Sequence, residues 1–266
     1  MTASAAHSGA ILWQGETLLR GEYGQVALVL TGLDGGSKNR KTGAVPQGWI
    51  IPTDQGGLGR AVREGCESAV CGQCVQRPAL GGRCYVSIGV GGPGAVWRAF
   101  RGGAYPRRSP HEVAPLLAGE WVRWGAWGDP AAIPLHVYTP ILESLEGWQG
   151  YTQQWRHLRA RDWGWLMAST HSRLQALEAR ARGWRSFRVR EEADTLLPGE
   201  AICPASDEWE ALGRKRRTCQ ECRQCGGLGQ EGAADRVIID HGFREGMARQ
   251  LRLGIWPKWK RQLELF

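Results

Sequence analysis

All eight cysteines of this chain fall into two stretches, and their spacing limits what can be folded around them. The first stretch, CESAVCGQCVQRPALGGRC, places Cys66, Cys71, Cys74 and Cys84 as C-x4-C-x2-C-x9-C. The second joins Cys203, in AICPAS, to the run TCQECRQCGG, so that Cys203, Cys219, Cys222 and Cys225 follow C-x15-C-x2-C-x2-C. No cysteine is left over, and each group can supply a complete tetrathiolate site. A chain of 266 residues buries enough core to stand without disulfide staples. Clustered thiols in such a chain read as metal-binding or catalytic in a reducing compartment.

Spacing discriminates between metals. A tetrahedral zinc site is usually built from two separated C-x2-C hairpins, because each turn aims two sulfurs at one ion. Here the arrangement is three plus one, twice. Three close thiolates with a distant fourth suit an iron–sulfur cluster, whose irons occupy a wider body than a single ion, and both local spacings occur in ferredoxins. Two iron–sulfur clusters of the 4Fe–4S type are therefore expected, with zinc as the alternative. The match to ferredoxins is partial: no proline follows Cys225, and the gap before Cys84 is short. A cluster held by protein sulfur at every iron carries electrons or structure, whereas activation of a substrate requires an open coordination position.

Composition narrows the setting. Hydrophobic residues make up 42% and charged residues 23% of the chain. No apolar run approaches the roughly 18 residues of a membrane span, so no membrane partner is expected. The start, MTASAAHSGAILWQGETLLRG, lacks a basic segment followed by a long apolar one, which argues against a secretory signal and for a cytoplasmic protein. The formal charge of +8 and the 14 tryptophans suit contact with nucleic acid, where cations neutralise phosphates and rings stack on bases. Core tryptophans and solvated arginines explain the same composition equally well.

Short apolar runs predict strands at VALVL (26–30), WII (49–51), CYVSI (84–88), WVRW (121–124), WLMAS (165–169), FRV (187–189), AIC (201–203) and VIID (237–240). Helical spacing recurs at 139–148 and 171–184; in the latter, Leu174, Leu177 and Ala181 share a face, Glu178 and Arg182 form an i,i+4 pair, and Gly183 closes the helix. Strands alternating with helices predict an α/β fold with a parallel sheet, over a single domain spanning 1–266. Eight strands suffice for a TIM-barrel-like parallel barrel, complete or incomplete, with the cysteines on loop insertions; an open sheet is the alternative.

In either architecture the loops at the carboxyl ends of the strands build the site. Cys203 ends the strand AIC and so falls there. GGSKNRKTG resembles a phosphate loop from Gly36 to Lys41 and Thr42, but Arg40 occupies the place of the second glycine, which excludes a nucleotide-triphosphatase reading. What remains is an anion-binding role for Lys38, Arg40 and Lys41 toward a phosphate-bearing ligand, or a basic surface loop. Asp129 follows the strand WVRW, and Tyr151 and His241 occupy analogous positions. These three are the candidates for acid, base or hydrogen-bond chemistry, against a plain turn or a satisfied structural residue.

The succession SKNRKTG, the C-x4-C-x2-C run, RWGAWGDP, GYTQQW, GWRSFRVR, AICPAS and the C-x2-C-x2-C run resembles a family of cysteine-rich proteins encoded by bacteriophages and prophages. The likeness extends from about residue 30 onward and rests on the order of the motifs. It implies a viral protein made in the cytoplasm of a bacterial host, and it brings no known reaction with it. The chain is also distantly similar to radical-SAM barrels in joining an α/β plan to a cysteine-bound cluster. It departs from their C-x3-C-x2-C signature, which puts cleavage of S-adenosylmethionine in doubt. The expected function is an iron–sulfur redox or nucleic-acid-modifying enzyme, of oxidoreductase or radical type. The alternatives are a nucleic-acid-binding protein in which zinc or clusters only hold loops, and an electron carrier with a redox partner.

Overall fold

The computed structural model describes residues 8–36, 39, 41–54, 56–88, 92–230 and 232–240. His241, Lys38 and Arg40 lie outside the described residues.

Two sheets carry the fold. The first begins as an antiparallel meander of β1 (Gly9–Glu16), β2 (Gln25–Thr31) and β3 (Gln47–Pro52), and continues in parallel through β4 (Trp121–Arg123) and β5 (Gly147–Gln149). The second is wholly parallel: β6 (Tyr151–Thr152), β7 (Met167–Thr170), β8 (Ser186–Arg190), β10 (Asp235–Ile239) and β9 (Glu200–Ile202), in that spatial order. Only Gly150 separates β5 from β6. The Trp124 amide donates to the Gln149 carbonyl at 2.8 Å, and the Met167 amide donates to the Gly150 carbonyl at 2.9 Å. One continuous stretch of chain thus pairs with β4 through its first half and with β7 through its second. A side chain at position 150 would meet Leu166 Cδ2 at 2.5 Å and Trp124 Cβ at 3.4 Å, so glycine accommodates the buried Leu166 at the change of sheet without displacing it.

The architecture is mixed α/β with predominantly parallel pairing, as the alternation of strands and helices predicts. Among the described residues no pairing joins β1 to β9, and the strands do not close into a barrel. The antiparallel β1 and β2 occupy the edge that a closed parallel barrel would need to seal.

VALVL is the centre of β2, and Val26, Ala27, Leu28, Val29 and Leu30 are all fully buried, the continuous apolar run of a strand covered on both faces. Trp124 is fully buried and packs edge-on to Tyr138, with ring centroids 5.1 Å apart. Trp121, Trp127, Trp155 and Trp184 are buried as well, and Trp13, Trp49, Trp97, Trp148, Trp163 and Trp165 pack against the core from partly buried positions. No helix among the described residues is long and apolar enough to cross a membrane.

Three sequence expectations are corrected. Residues 84–88 form no strand: the entry to the segment is tied to the cysteine loop, where the Cys84 amide donates to the Gln76 carbonyl and the preceding Arg83 amide donates to Gln76 Oε1, each at 2.9 Å. The helix expected at 139–148 is α5 (Leu135–Leu142), and Gly147–Gln149 instead pairs with β4 as a strand. The helix α7 (Arg173–Ala181) forms where expected, with Ser172 capping it through the Gln175 amide, Glu178 pairing with Arg182 at 2.9 Å and Gly183 at φ 82° after its end. Its buried face, however, is Ala176 and Ala179, while Leu174 and Leu177 are exposed. The small residues permit close approach of the helix to β7 and β8, and the larger leucines are left outside. Leu177→Ser is therefore expected to change stability by less than about 0.5 kcal/mol. Ala179→Leu, which forces three extra carbons into a packed contact, should cost about 1–3 kcal/mol in denaturant unfolding.

Candidate metal centres

A cavity of about 640 Å³ is walled by the parallel strands. Its lining residues alternate along them: Gln149, Tyr151 and Gln153; Phe187 and Val189; Arg236, Ile238 and Asp240. That period of two is one face of each strand turned inward. The opposite face of β8 presents Arg188 and Arg190. Arg188 is fully buried and donates to both Glu200 carboxylate oxygens at 2.7 Å, and Arg190 pairs with Glu208.

Seven of the eight cysteines line this cavity: Cys71, Cys74 and Cys84 from one segment, and Cys203, Cys219, Cys222 and Cys225 from the other. Cys66 does not line it; its thiol stands 3.9 Å from the Glu64 carbonyl. All eight are free thiols, with no disulfide between them.

The first segment is shaped by a buried ion pair. Glu67, fully buried, accepts from Arg77 Nε at 3.3 Å and from the Ala79 amide at 3.2 Å. The Arg77 guanidinium also donates to the Gly72 carbonyl at 3.1 Å and the Gly65 carbonyl at 2.8 Å. One guanidinium thereby ties the ends of α2 (Ser68–Cys71) to the turn that carries Cys74.

The second segment is held by capping and by the basic loop. Cys219 and Cys222 are the first and last residues of the short helix α9 (Cys219–Cys222), whose start is fixed by a reciprocal Thr218 and Glu221 capping box. Arg223 follows in the left-handed region at φ 53°, which turns the chain so that Cys225 re-enters the cavity wall. Cys203 sits just past β9, its amide donating to the Val237 carbonyl at 2.9 Å. The amides of Cys219 and Gln220 donate to the carbonyls of Lys41 and Thr42 at 3.2 and 3.0 Å. The glycine-rich loop thus lies directly against the second cysteine group. Gly43, at φ 82°, is required there, since a Cβ would stand 2.6 Å from Gln220 Oε1.

Burial controls the thiols. It pushes Cys74 up to about 12 and Cys203 up to about 11, and raises Cys71, Cys84, Cys222 and Cys225. Within each group the sulfurs also oppose one another's ionisation: Cys71, Cys74 and Cys84 among themselves, and Cys225 with Cys203, Cys219 and Cys222. Without a cation these groups are neutral thiols; a bound metal reverses the balance and deprotonates them. Among the described residues no set of three or more His, Cys, Asp or Glu side chains forms a group that could hold a metal ion.

Tyr151 lines the cavity against Phe187, with ring centroids 4.7 Å apart, and is hydrogen-bonded to Cys225. Burial, followed by the sulfurs of Cys225, Cys219 and Cys203, raises its phenol far above the usual value and keeps it an O–H donor. Lys41 lines the cavity beside Cys203 and Cys219; burial lowers its ammonium, and the nearby sulfurs oppose that change.

Asp129 is buried and its oxygens are engaged: they accept from the Ala131 amide at 3.0 Å, the Thr152 hydroxyl at 3.1 Å and the Gln153 amide at 2.7 Å. It caps a turn and pins the end of β6 to the segment after β4. Burial raises its carboxyl from 3.8 to about 6, against the pull of those donors. Because the folded chain holds this proton more tightly than the unfolded one, Asp129 favours folding most below pH about 4, and that contribution is lost as pH rises to about 6. Comparing urea unfolding of the wild type with Asp129→Asn between pH 4 and 7 should show the wild-type advantage shrinking across that window.

Polar side chains not singled out from the sequence complete the wall. His171, just past β7, is held down to about 4 by burial and lies between two carboxamides: Gln76 Nε2 is 3.4 Å from its Nδ1, and the Gln153 amide is 2.7 Å from its Nε2. Arg83 and Asp240 pair at 3.0 Å, linking the first cysteine segment to the end of β10. The position of His171 at the carboxyl end of a predicted strand was the signal that marks it. No protein-family model matches the chain, nor does any curated protein or solved structure.

Proposed function

We propose that this chain is a phage-encoded iron–sulfur protein of the bacterial host cytoplasm. It binds two 4Fe–4S clusters through its two cysteine groups, on an incomplete parallel barrel, and acts as a redox or nucleic-acid-modifying enzyme. The observation that carries this reading is the convergence of seven cysteines from segments more than a hundred residues apart on one cavity. Zinc is the alternative; the three-plus-one spacing of each cysteine group, rather than two C-x2-C hairpins, favours a cluster.

The cluster, when bound, supplies electron transfer. The chain's own residues do the rest. Cys203, Cys219, Cys222 and Cys225 would hold one cluster, with the Tyr151 hydroxyl donating to the Cys225 sulfur, a contact of the kind that tunes a cluster's potential. Lys41 places a cation beside that same group. The first cluster draws on the segment from Cys66 to Cys84. Phe187, Val189 and Ile238 contribute apolar side chains to the lining of the same cavity.

A nucleic-acid partner is supported by one surface feature. Arg214, Lys215, Arg216 and Arg217 are exposed immediately before α9, and the Arg214 guanidinium lies 4.4 Å from the Trp209 ring centroid. Such a basic stretch with a stacked ring suits a phosphate backbone and a base. Affinity for single-stranded DNA that falls steeply with salt, without any redox activity, would favour the binding protein over the enzyme.

Anaerobic purification followed by iron, sulfide and zinc analysis tests the proposal. A brown protein with about eight irons and eight sulfides per chain is expected for two cubane clusters. A colourless protein loaded with zinc would refute it.

A further inference from the structure

Two guanidiniums on the cavity wall lack a counter-charge. Arg123 ends β4 and is 8% exposed, Arg236 on β10 is 9% exposed, and both line the cavity. Arg123 donates through Nη2 to the Tyr85 hydroxyl at 2.8 Å; Arg236 donates to the Gln224 side chain, and its Nε has no partner. Among the described residues neither guanidinium is paired with a carboxylate. The other arginines of the wall are neutralised by the protein, Arg83 by Asp240 and Arg223 by Glu146. The Asp129 carboxylate is taken up by the Ala131 and Gln153 amides and the Thr152 hydroxyl. A buried cation without an anion is costly, so a ligand that enters this space and carries negative charge gains what the protein itself does not supply.

We propose that the cavity binds a nucleoside monophosphate, its phosphate held at Arg123 and Lys41 and its base lying toward Gln153 and His171. The inference goes beyond the reading above and holds whichever metal the cysteines bind. Lys41, on the glycine-rich loop, lines the same cavity within electrostatic reach of Arg123. Two cations side by side favour a dianion over a singly charged group, which selects a phosphate monoester over a carboxylate or a phosphodiester. The cavity, at about 640 Å³, is far larger than a phosphate and of the size that encloses a small organic ligand. The partly buried rings of Trp49 and Phe187 are in its lining, and a planar base stacks on such rings.

The far end of the wall offers a directional donor. Arg123 is in register with Gln149 of β5, and Gln149, Tyr151 and Gln153 follow one another along the lining. Four residues of extended chain span at most about 13 Å, the length scale of one nucleotide. At Gln153 the hydrogen bonds fix which atom faces the ligand. Gln76 Oε1 accepts from the Arg83 amide at 2.9 Å, which leaves Gln76 Nε2 to donate to His171 Nδ1 at 3.4 Å. Burial keeps His171 neutral, so its proton resides on Nε2 and requires an acceptor. The Gln153 carboxamide atom 2.7 Å from that nitrogen is also 2.7 Å from the Ser169 hydroxyl. Oxygen and nitrogen of a carboxamide are assigned by their partners, and an oxygen there accepts from both. The Gln153 NH2 then remains to donate to a ring nitrogen or carbonyl of the base.

Isothermal titration calorimetry on the anaerobically purified full chain tests the assignment with the four ribonucleoside 5′-monophosphates, their nucleosides and inorganic phosphate. At least one monophosphate is expected to bind one to one, more tightly than its nucleoside or inorganic phosphate. Arg123→Met should weaken that binding about 10- to 100-fold, the effect of losing hydrogen bonds to a charged group. The same variant, without ligand, should melt no lower than the wild type, because an uncompensated buried cation has been removed; a guanidinium kept for structure alone would lower the melting temperature and leave the affinity unchanged. Gln153→Ala, which leaves both cations in place, should weaken the monophosphate about 2- to 10-fold and leave inorganic phosphate binding as it is. Wild-type protein that binds no monophosphate, or binds it no more tightly than inorganic phosphate, would overturn the inference, as would full affinity in either variant. Absence of iron from the same sample would count against the cluster reading and leave this one standing.

Discussion

Replacing Cys222 by alanine is expected to leave about four irons per chain instead of about eight, with the electron paramagnetic resonance of one reduced centre lost and that of the other retained. Cys222 and Cys225 sit on the capped turn after Thr218; that turn bonds to the carbonyls of Lys41 and Thr42 through the amides of Cys219 and Gln220, to Gly150 through the Cys225 carbonyl, and to the Pro204 carbonyl, past β9, through the Arg217 amide. None of these involves the segment from Cys66 to Cys84. The reciprocal substitution, Cys74→Ala, should remove the other half. Each variant should remain folded, since the sheet core around Leu28, Ile50 and Trp124 is formed by other residues. Loss of both centres from either variant, in protein that keeps wild-type circular dichroism, would mean that the seven thiols serve one shared centre.

Glu67→Ala is expected to have the largest effect on the fold of the first centre. The carboxylate is fully buried and is the anionic partner of Arg77, whose guanidinium holds the carbonyls of Gly65 and Gly72. Removing it strands a nearly buried cation and frees the Ala79 amide, a change that typically costs about 3–5 kcal/mol. The measurable outcome is the loss of about four irons together with protease sensitivity in the segment between α2 and Cys84, and retention of the second centre. Arg77→Met tests the pair from the other side; with Glu67 left as a buried, uncompensated carboxylate, destabilisation of similar size is expected. A variant Glu67→Ala that holds its full iron content and stability would contradict the role given to this pair.

Much of the sheet was legible because its strands carry strong local signals. VALVL, WVRW, FRV, AIC and VIID each lie on or within one residue of an observed strand, and an apolar run bounded by glycine or charge leaves few alternatives. CYVSI failed for a reason local pattern cannot supply: Gln76 captures the amides of Arg83 and Cys84, and the segment is committed to the cysteine loop. The pairing of Gly147–Gln149 with β4 is a long-range choice, and it overrode the helical spacing read there. In α7 the period was right and the face was wrong, since Ala176 and Ala179, not the leucines, meet the sheet. The open edge at β1 and β2 likewise depends on antiparallel pairing that strand count alone does not reveal.

For the site, the cysteines were legible individually and their gathering was not. Spacing assigns neighbours within a few residues, so Cys219, Cys222 and Cys225 are a unit on sequence alone. Cys203 completes that unit because each group then has four cysteines and none is left over; that the first trio faces the same cavity, and that Cys66 stands apart, follow from the sheet order that brings β9, β10 and the cysteine-bearing segment after β3 round one space. The glutamines at 76 and 153 carry no motif and become visible only through His171.

Iron K-edge X-ray absorption on the anaerobically purified chain tests the central claim most directly. The account predicts iron in sulfur-dominated coordination with a strong iron–iron shell, the signature of a cluster, and about eight irons per chain. Absorption at the zinc edge with sulfurs at about 2.3 Å and no iron in the sample would contradict it.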